Sequence, residues 1–199
     1  MEREIIAIFD FDGTLTTKDT FIEFARQTVG TRKLFSAIFR NALWLIRWKL
    51  GLCEGGKAKE HLFTSLYKGM SYQVFKDYGH DFAPHISTIT NTDIVDLMDR
   101  HVKAGHRVYI VSASIPEWIA PWALLHGIPS DRILGTNIAV DADKHITGRF
   151  SSPNCNGEEK VRRIREVETQ LDNCTIFAYG NSSGDKPMLD LATHATMVK

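Results

Sequence analysis

The chain has 199 residues, of which 43% are hydrophobic and 24% are charged. This is the balance of a globular protein with one domain, or one domain carrying an insertion. The chain has 24 basic residues (lysine plus arginine) and 24 acidic residues (aspartate plus glutamate). A protein that binds nucleic acid over its whole surface would be basic, so we expect no nucleic-acid partner. The three cysteines form no C-x-x-C pair, which favours neither a disulfide framework nor a zinc site. The N-terminal segment MEREIIAIFD has no apolar signal core, and we therefore expect a cytoplasmic location.

Short apolar runs alternate with helical patterns along the chain. Residues 5–9 read IIAIF, which predicts a strand buried on both faces, and residues 107–111 and 175–179 are similar. Further strands are predicted at residues 133–139 and 195–198, and helices at residues 92–104, 116–126, 158–171 and 187–192. Residues 140–146 indicate the turn of a small hairpin. This alternation predicts βαβ units around a parallel sheet, which is an α/β fold.

Residues 17–89 break this alternation, because they are helical in composition and fall between the first strand and the next unit. We therefore predict a helical cap at residues 17–89, inserted into an α/β core of residues 1–16 and 90–199. Between Phe24 and Cys53 there is no acidic residue. The basic residues there are Arg26, Arg32, Lys33, Arg40, Arg47 and Lys49. They interrupt the apolar segment 34–52, which falls short of the roughly 18 uninterrupted apolar residues of a membrane span.

On a helix, Ser36, Arg40 and Arg47 share one narrow polar stripe, and the remaining surface is apolar. Tryptophans next to basic residues, as at Trp44 and Trp48, also suit a membrane interface or a lipid-like substrate. Amphipathic helices more often form core, however, so we expect this surface to pack the cap rather than to touch a membrane.

The first candidate catalytic residues directly follow the first predicted strand. Asp10-Phe11-Asp12-Gly13-Thr14 places two carboxylates two residues apart on a turn, where they need a neutralising partner. A Mg²⁺ ion is one such partner, and a carboxylate beside it can act as a nucleophile while the second serves as general acid and base. Gly13 lets the backbone amides face a phosphate. An ordinary surface turn is an equally good interpretation of this motif alone.

Three further polar clusters follow later in the chain. Ser112-Ala113-Ser114 could bind a phosphoryl oxygen or simply cap the next helix. Lys160 lies in the first turn of a predicted helix, after Asn156 and Glu159 with capping-box spacing; the alternative is a solvated lysine. The loop at residues 180–185 reads GNSSGD, in which Asn181 and Asp185 offer oxygen atoms, although a plain turn fits as well. Clusters that follow parallel strands converge at the carboxyl edge of the sheet.

Taken together, these motifs resemble the haloacid dehalogenase superfamily, specifically its phosphoserine-phosphatase-like branch with a helical cap. The resemblance covers nearly the full length. Residues 9–16 (FDFDGTLT) match the first motif, residues 111–114 the second, Lys160 the third and residues 180–185 the fourth. The resemblance implies a Rossmann-like parallel sheet with an inserted cap.

The resemblance also implies a role for each motif residue. Asp10 is then the nucleophile, and Asp12 protonates the leaving group and later activates water. Ser112, Ala113, Gly13 and Lys160 hold the phosphoryl group. Mg²⁺ is held by Asp10, the backbone carbonyl of Asp12 and Asn181, and Asp185 supports the ligands without contacting the metal.

One residue departs from the family pattern, which usually has aspartate where this chain has Asn181. The amide still offers an oxygen, but one negative charge is lost. The expected activity is Mg²⁺-dependent hydrolysis of a small phosphomonoester through an aspartyl-phosphate. The alternatives are a phosphomutase and a catalytically weakened phosphate-binding module.

Overall fold

The computed structural model describes residues 4–199. Residues 1–3, which begin the predicted core and the charged N-terminal segment, lie outside the described residues. The strands are β1 Ile5–Phe9, β2 Arg107–Val111, β3 Ile133–Leu134, β4 Ile138–Val140, β5 Ile146–Phe150, β6 Thr175–Gly180 and β7 His194–Met197. The helices are α1 Thr20–Val29, α2 Thr31–Arg40, α3 Ala42–Lys49, α4 Gly55–Tyr67, α5 Tyr72–Thr88, α6 Thr92–Lys103, α7 Pro116–Leu125, α8 Glu158–Val167 and α9 Lys186–Asp190.

Strand β1 lies at the centre of a five-stranded parallel sheet with the order β3-β2-β1-β6-β7. Its side chains alternate between two apolar layers. Ala7 and Phe9 belong to the core that includes α7, whereas Ile6 and Ile8 face the core that includes α8 and α9. Burial on both faces is what the continuous apolar run predicts. The predicted α/β fold with a parallel sheet is confirmed.

The segment at residues 133–139 does not form one strand, as the sequence predicts, but two. β3 pairs with β2 in the main sheet, and β4 pairs with β5 in the predicted hairpin. The chain changes direction at Gly135, where a Cβ atom would lie 2.6 Å from the backbone oxygen of Ser114. Next to it, Thr136 Oγ1 donates to the Ala113 carbonyl at 2.7 Å. Contacts with the loop after β2 therefore end the strand early.

Helices α1–α5 occupy the insertion between β1 and β2. Helix α5 packs backbone to backbone against α7, because a Cβ atom at Gly79 would lie 2.2 Å from the Glu117 carbonyl oxygen. Helix α4 packs on the β4–β5 hairpin through Gly148, which has φ of 86° and lies against Thr64. No helix in residues 4–199 is both long and apolar enough to cross a membrane.

The expectation that the apolar surface at residues 34–52 packs the cap is wrong for much of that segment. Helix α3 has no buried residue. In α2 only Leu34 and Ala37 are buried, while Phe39 is 83% exposed. These helices contact α1, α4 and each other, and their large apolar residues Phe35, Phe39 and Leu43 remain exposed.

Candidate active site

The turn after β1 directs its side chains to opposite sides. Asp10 continues the sheet by donating its backbone N–H to the Tyr179 carbonyl at 2.9 Å. Phe11 is fully buried in the core and packs edge to face on Trp122, with ring centroids 5.4 Å apart. Asp10 and Asp12 instead line a cavity at the carboxyl edge of the sheet. A packed aromatic side chain thus anchors the turn between two carboxylates.

Lys160 is paired with two carboxylates in the interior. Its Nζ atom lies 2.5 Å from Asp10 Oδ1 and 2.6 Å from Asp185 Oδ1, and the side chain is 1% exposed. The alternative of a solvated lysine is therefore wrong. Burial alone would lower the pKa of Lys160, but the two carboxylates outweigh it and raise the pKa above its ordinary value. The ammonium stays charged and offsets the negative charges of Asp10 and Asp185.

Burial dominates the electrostatics of the Asp10 carboxyl group. Burial raises its pKa to about 6, although the Lys160 ammonium opposes this shift and the Asp185 charge adds to it. Thr14 Oγ1 donates to the second oxygen of Asp10, Oδ2, at 3.0 Å. A desolvated carboxylate with a fixed orientation is a better nucleophile than one surrounded by water.

Asp12 is held by three donors from two parts of the chain. Its Oδ1 atom accepts bonds from the backbone N–H of Thr20 at 2.7 Å and from Thr20 Oγ1 at 2.6 Å. Its Oδ2 atom accepts a hydrogen bond from Ser114 Oγ. The Asp12 carboxyl group is therefore oriented at the edge of the cavity, where it can exchange a proton with a ligand.

The residues after β2 do not cap helix α7. Its N-cap is Ile115, and no side-chain hydrogen bond caps it. Ser114 donates to Asp12 instead, and Ser112 Oγ accepts the Ser114 N–H at 3.0 Å. Because Ser112 Oγ serves there as an acceptor, its proton can be donated to a ligand in the cavity, which both Ser112 and Ala113 line.

Gly13 and Asn181 lie in close contact. Gly13 has φ of 81°, and a Cβ atom at this position would lie 2.1 Å from Asn181 Nδ2. Thr14 Oγ1 lies 3.4 Å from Asn181 Oδ1 and also contacts Asp10. The structure thus brings the first and fourth motifs together around one hydroxyl group.

Asp185 organises the loop that carries Asn181. Its Oδ2 atom accepts bonds from the backbone N–H groups of Asn181 at 3.1 Å and Ser182 at 2.9 Å, and from Ser182 Oγ at 2.7 Å. Burial would raise the pKa of Asp185, but Lys160 and Ser182 outweigh it and lower the pKa. Both carboxylate oxygens of Asp185 are thus bound by protein groups, so its role is to hold Lys160 and the loop of Asn181 in place.

The predicted capping box of Asn156 and Glu159 is absent from helix α8. The N-cap is Gly157, without a side-chain cap, and Glu159 pairs with Arg162 and Arg163. Asn156 instead lines the cavity. Lys160 is thus placed by tertiary contacts rather than by a local capping motif.

The cavity has a volume of about 520 Å³ and receives residues from both the sheet edge and the inserted helices. Lys59 of helix α4 donates to the Ala113 carbonyl at 2.8 Å, and its Nζ lies 5.5 Å from the centre of the Phe21 ring. Desolvation lowers the pKa of Lys59, while the charges of Asp12 and Asp19 oppose that shift. Sequence reasoning missed Lys59, because nothing in its local pattern distinguishes it from other helical lysines. The other cavity residues from the insertion are Asp19, Phe21, Ile22, Leu45, Trp48, Gly55, Ala58 and Leu62.

The chain is similar to proteins of a known family. The family model for haloacid dehalogenase-like hydrolases matches residues 7–190. The chain belongs to this family. The Protein CicA of Caulobacter vibrioides is 32% identical over 189 residues, which cover 94% of this chain and 83% of that protein. A protein of Mycobacterium tuberculosis named "Probable phosphatase Rv3661" is 26% identical over 96% of this chain and 68% of its own length.

Solved structures share the fold. A Bordetella pertussis protein of unknown function superimposes with a TM-score of 0.80 at 22% identity, covering 98% of this chain and 90% of its own. A phosphoserine phosphohydrolase-like protein of Francisella tularensis gives 0.68 at 19% identity, covering 98% and 84%. A substrate-bound phosphoserine phosphatase gives 0.63 at 16% identity, covering 96% and 84%. The predicted fold, that of phosphoserine-phosphatase-like members of the family, is confirmed.

Proposed function

We propose that this protein is a Mg²⁺-dependent phosphatase that hydrolyses a small phosphomonoester through an aspartyl-phosphate on Asp10. The observation that carries the proposal is the Asp10 carboxylate itself. It is buried beside the cavity and paired with Lys160 at 2.5 Å. The oriented carboxyl group of Asp12 is its neighbour in the same turn. Membership of a hydrolase family and a relative named as a phosphatase support this assignment.

The chain's own groups account for both half-reactions. In the first, a carboxylate oxygen of Asp10 bonds to phosphorus while the bond to the leaving-group oxygen breaks, and Asp12 gives that oxygen a proton. In the second, Asp12 takes a proton from water as the water oxygen attacks phosphorus. The phosphorus–Asp10 bond then breaks and releases inorganic phosphate. Lys160 and Ser112 stabilise the transferring group, since phosphoryl transfer depends mostly on positioning and charge.

The donor set suits a magnesium ion. Within residues 4–199 no three His, Cys, Asp or Glu side chains form a metal cluster, but Mg²⁺ accepts amide and backbone oxygens as well as carboxylates. One hydroxyl group, Thr14 Oγ1, lies within 3.4 Å of oxygens from both Asp10 and Asn181, yet it has one proton to give. One of these oxygens is therefore left for another partner. We propose Asp10, the Asp12 carbonyl and Asn181 as ligands; when bound, Mg²⁺ supplies positive charge that neutralises the phosphoryl oxygens.

The predicted cap, core and cellular location belong to the same proposal. Residues 17–89 act as a cap that supplies one wall of the cavity, and residues 1–16 and 90–199 form the catalytic core. The contact between Lys59 and the Ala113 carbonyl supports this division of roles, because it joins the insertion to the loop of the second motif. We propose a cytoplasmic enzyme acting on a small-molecule phosphate ester.

The decisive variant is Asp10→Asn, which keeps the shape of the side chain but removes the nucleophile. We expect hydrolysis of p-nitrophenyl phosphate to be lost while the melting temperature shows a folded protein. Asp96→Asn, an exposed aspartate of α6, is the matched control and should hydrolyse the ester like the wild type. Beryllium fluoride with Mg²⁺ should be trapped by the wild type and not by Asp10→Asn. Near wild-type turnover in Asp10→Asn would refute the mechanism, and phosphate binding without any wild-type turnover would favour a binding module.

The second variant tests the metal ligands. Asn181→Asp adds a carboxylate to a site for a hard cation, so we expect half-maximal activity at a lower Mg²⁺ concentration. The activity of wild type and variant is titrated with Mg²⁺ after removal of metal by a chelator. A midpoint that stays unchanged or rises would show that Asn181 does not contact the metal.

A further inference from the structure

The burial pattern of helix α2 is the reverse of that of an ordinary amphipathic helix. Its buried residues, Leu34 and Ala37, are not its largest apolar residues. Phe35 and Phe39 are larger and point away from the protein, with 64% and 83% exposure. Two exposed phenylalanines one helical turn apart do not stabilise the fold, and a contiguous apolar patch on a protein surface marks an interaction site.

The apolar surface continues through α3 into the loop that follows it. Leu43, Ile46 and Leu50 continue the spacing of Phe35 and Phe39 at intervals of three and four residues. The junction of the two helices is fixed, since Asn41 Nδ2 donates to the Ala37 carbonyl and to Ser65 Oγ of α4, each at 2.8 Å. Phe35, Phe39, Leu43, Ile46 and Leu50 are each more than half exposed. We call these five residues the apolar face.

Positive charge borders the apolar face. Residues 24–53 contain six of the 24 lysines and arginines of the chain and none of its 24 acids. Lys33, Arg40 and Arg47 recur every seven residues, which places them along one side of the helices, and all three are exposed. The complementary partner is therefore both apolar and anionic.

The opposite side of α3 reaches the entrance of the cavity. Trp48 is 53% exposed and lines the cavity, and Leu45 of the same helix lines it too. A Cβ atom at Gly55, the first residue of α4, would lie 2.8 Å from Trp48 Nε1, so the indole lies over the start of that helix. Helix α3 would thus separate a partner bound to the apolar face from the cavity.

We propose that the apolar face and its basic residues bind the interface of an anionic lipid bilayer. An interfacial helix combines large apolar and aromatic residues with lysine and arginine at its borders, as α2 and α3 do. Each basic residue near an anionic membrane adds to the affinity. A second copy of this chain fits less well, because a two-fold interface through this face would bring Lys33, Arg40 and Arg47 towards the same basic residues of the other copy. The binding does not depend on the phosphatase activity proposed above.

The experiment measures cosedimentation of the full chain with vesicles of phosphatidylcholine alone and with added phosphatidylglycerol. We expect binding to the anionic vesicles only, weakening as salt shortens the Debye length from about 10 Å at 0.1 M to about 3 Å at 1 M. Lys33→Gln with Arg40→Gln should lower the partition coefficient about thirtyfold. Arg100→Gln with Lys103→Gln, an exposed pair on α6, is the charge-matched control and should bind like the wild type.

A second pair of matched variants tests the contribution of the apolar residues to membrane binding. Phe39→Ser with Leu43→Ser should lower the partition coefficient by at least about tenfold. Leu124→Ser with Leu125→Ser, which are 65% and 72% exposed at the end of α7, should not lower it. All four double variants should still hydrolyse p-nitrophenyl phosphate if the wild type does, which separates membrane binding from catalysis.

Three outcomes would overturn the proposal. Equal binding to neutral and anionic vesicles would contradict the role of the basic residues. Binding that Phe39→Ser with Leu43→Ser leaves unchanged would place the contact elsewhere. A dimer in lipid-free buffer that the same substitutions convert to a monomer, measured by analytical ultracentrifugation, would assign the apolar face to self-association.

Discussion

Helices α7 and α3 each carry two tryptophans four residues apart, yet the two pairs have opposite surroundings. Trp118 and Trp122 of α7 are fully buried. Trp48 of α3 is 53% exposed, and Trp44 lies partly buried with its ring stacked on His61 at 4.1 Å. The spacing is the same, so it cannot decide burial. The number of elements packed around the helix decides it, because α7 is enclosed by the sheet and α5 whereas α3 touches α2 and α4 on one side.

The two tryptophan pairs also differ in their position relative to the candidate active site. Trp122 packs on Phe11, which is the residue between Asp10 and Asp12 in the first motif. Trp118 Nε1 donates to Thr20 Oγ1 at 3.2 Å, and the same hydroxyl donates to Asp12. The buried pair therefore supports the turn that carries Asp10 and Asp12, the proposed reacting groups, whereas Trp48 borders the cavity entrance.

The largest expected effect comes from breaking the buried pair. Trp118→Ala removes an indole that contacts Phe21, Phe24 and Phe75. We expect it to lower the free energy of unfolding by about 3–5 kcal/mol, the cost of a large cavity in a packed core. Urea denaturation measures the loss. A loss below about 1 kcal/mol would show that α7 is not part of the stable core.

A smaller effect is expected from the hydroxyl that joins Trp118 to Asp12. Thr20→Val keeps the side-chain volume but removes one donor from Asp12 and the acceptor of a buried indole N–H. We expect a loss of stability of about 1–2 kcal/mol and a decrease in kcat/KM of about tenfold, as for other residues that orient a reacting group.

Thr28→Val, on the same helix, provides the control for Thr20→Val. Its hydroxyl bonds to the Phe24 carbonyl and the Tyr67 hydroxyl, away from the cavity. Thr28→Val should therefore lose stability without losing activity. If both variants lose activity equally, the effect of Thr20 is only structural.

The smallest expected effect on protein stability comes from changing the exposed tryptophan. Trp48→Ala should change the free energy of unfolding by at most about 1 kcal/mol, since a half-exposed residue loses few buried contacts. The same urea denaturation compares it directly with Trp118→Ala. A loss as large as that of Trp118→Ala would mean that α3 is covered in solution.

The core of the site was predictable because its residues are carried by short local motifs. Asp10, Asp12 and Gly13 share one turn, and Asn181 and Asp185 share another, so the sequence itself holds them close. A continuous apolar run before each cluster predicts a buried parallel strand, and the carboxyl ends of such strands meet at one edge. This is why Asp10 could be expected near Ser112 and Asn181. Lys160 follows no predicted strand, so only the family resemblance placed it with Asp10, 150 residues away.

The contacts made by side chains from different elements were not predictable. Ser114 and Thr20 both bind Asp12, but each has a local pattern that equally fits a helix start. Lys59 reaches Ala113 only because α4 packs over the sheet edge. The exposure of α3 was mispredicted for a related reason, since amphipathic spacing shows which residues share a face but not whether another element covers it.

The shared position of Lys160 has a consequence for the proposed reaction. When Asp10 becomes an acyl phosphate it no longer offers a full negative charge, and a lysine paired with it alone would lose its partner. Asp185 holds the same ammonium at 2.6 Å, and the proposed reaction changes no bond of Asp185. In that reaction the positive charge would stay beside the phosphoryl group through both half-reactions, with Asp185 as its permanent counter-ion.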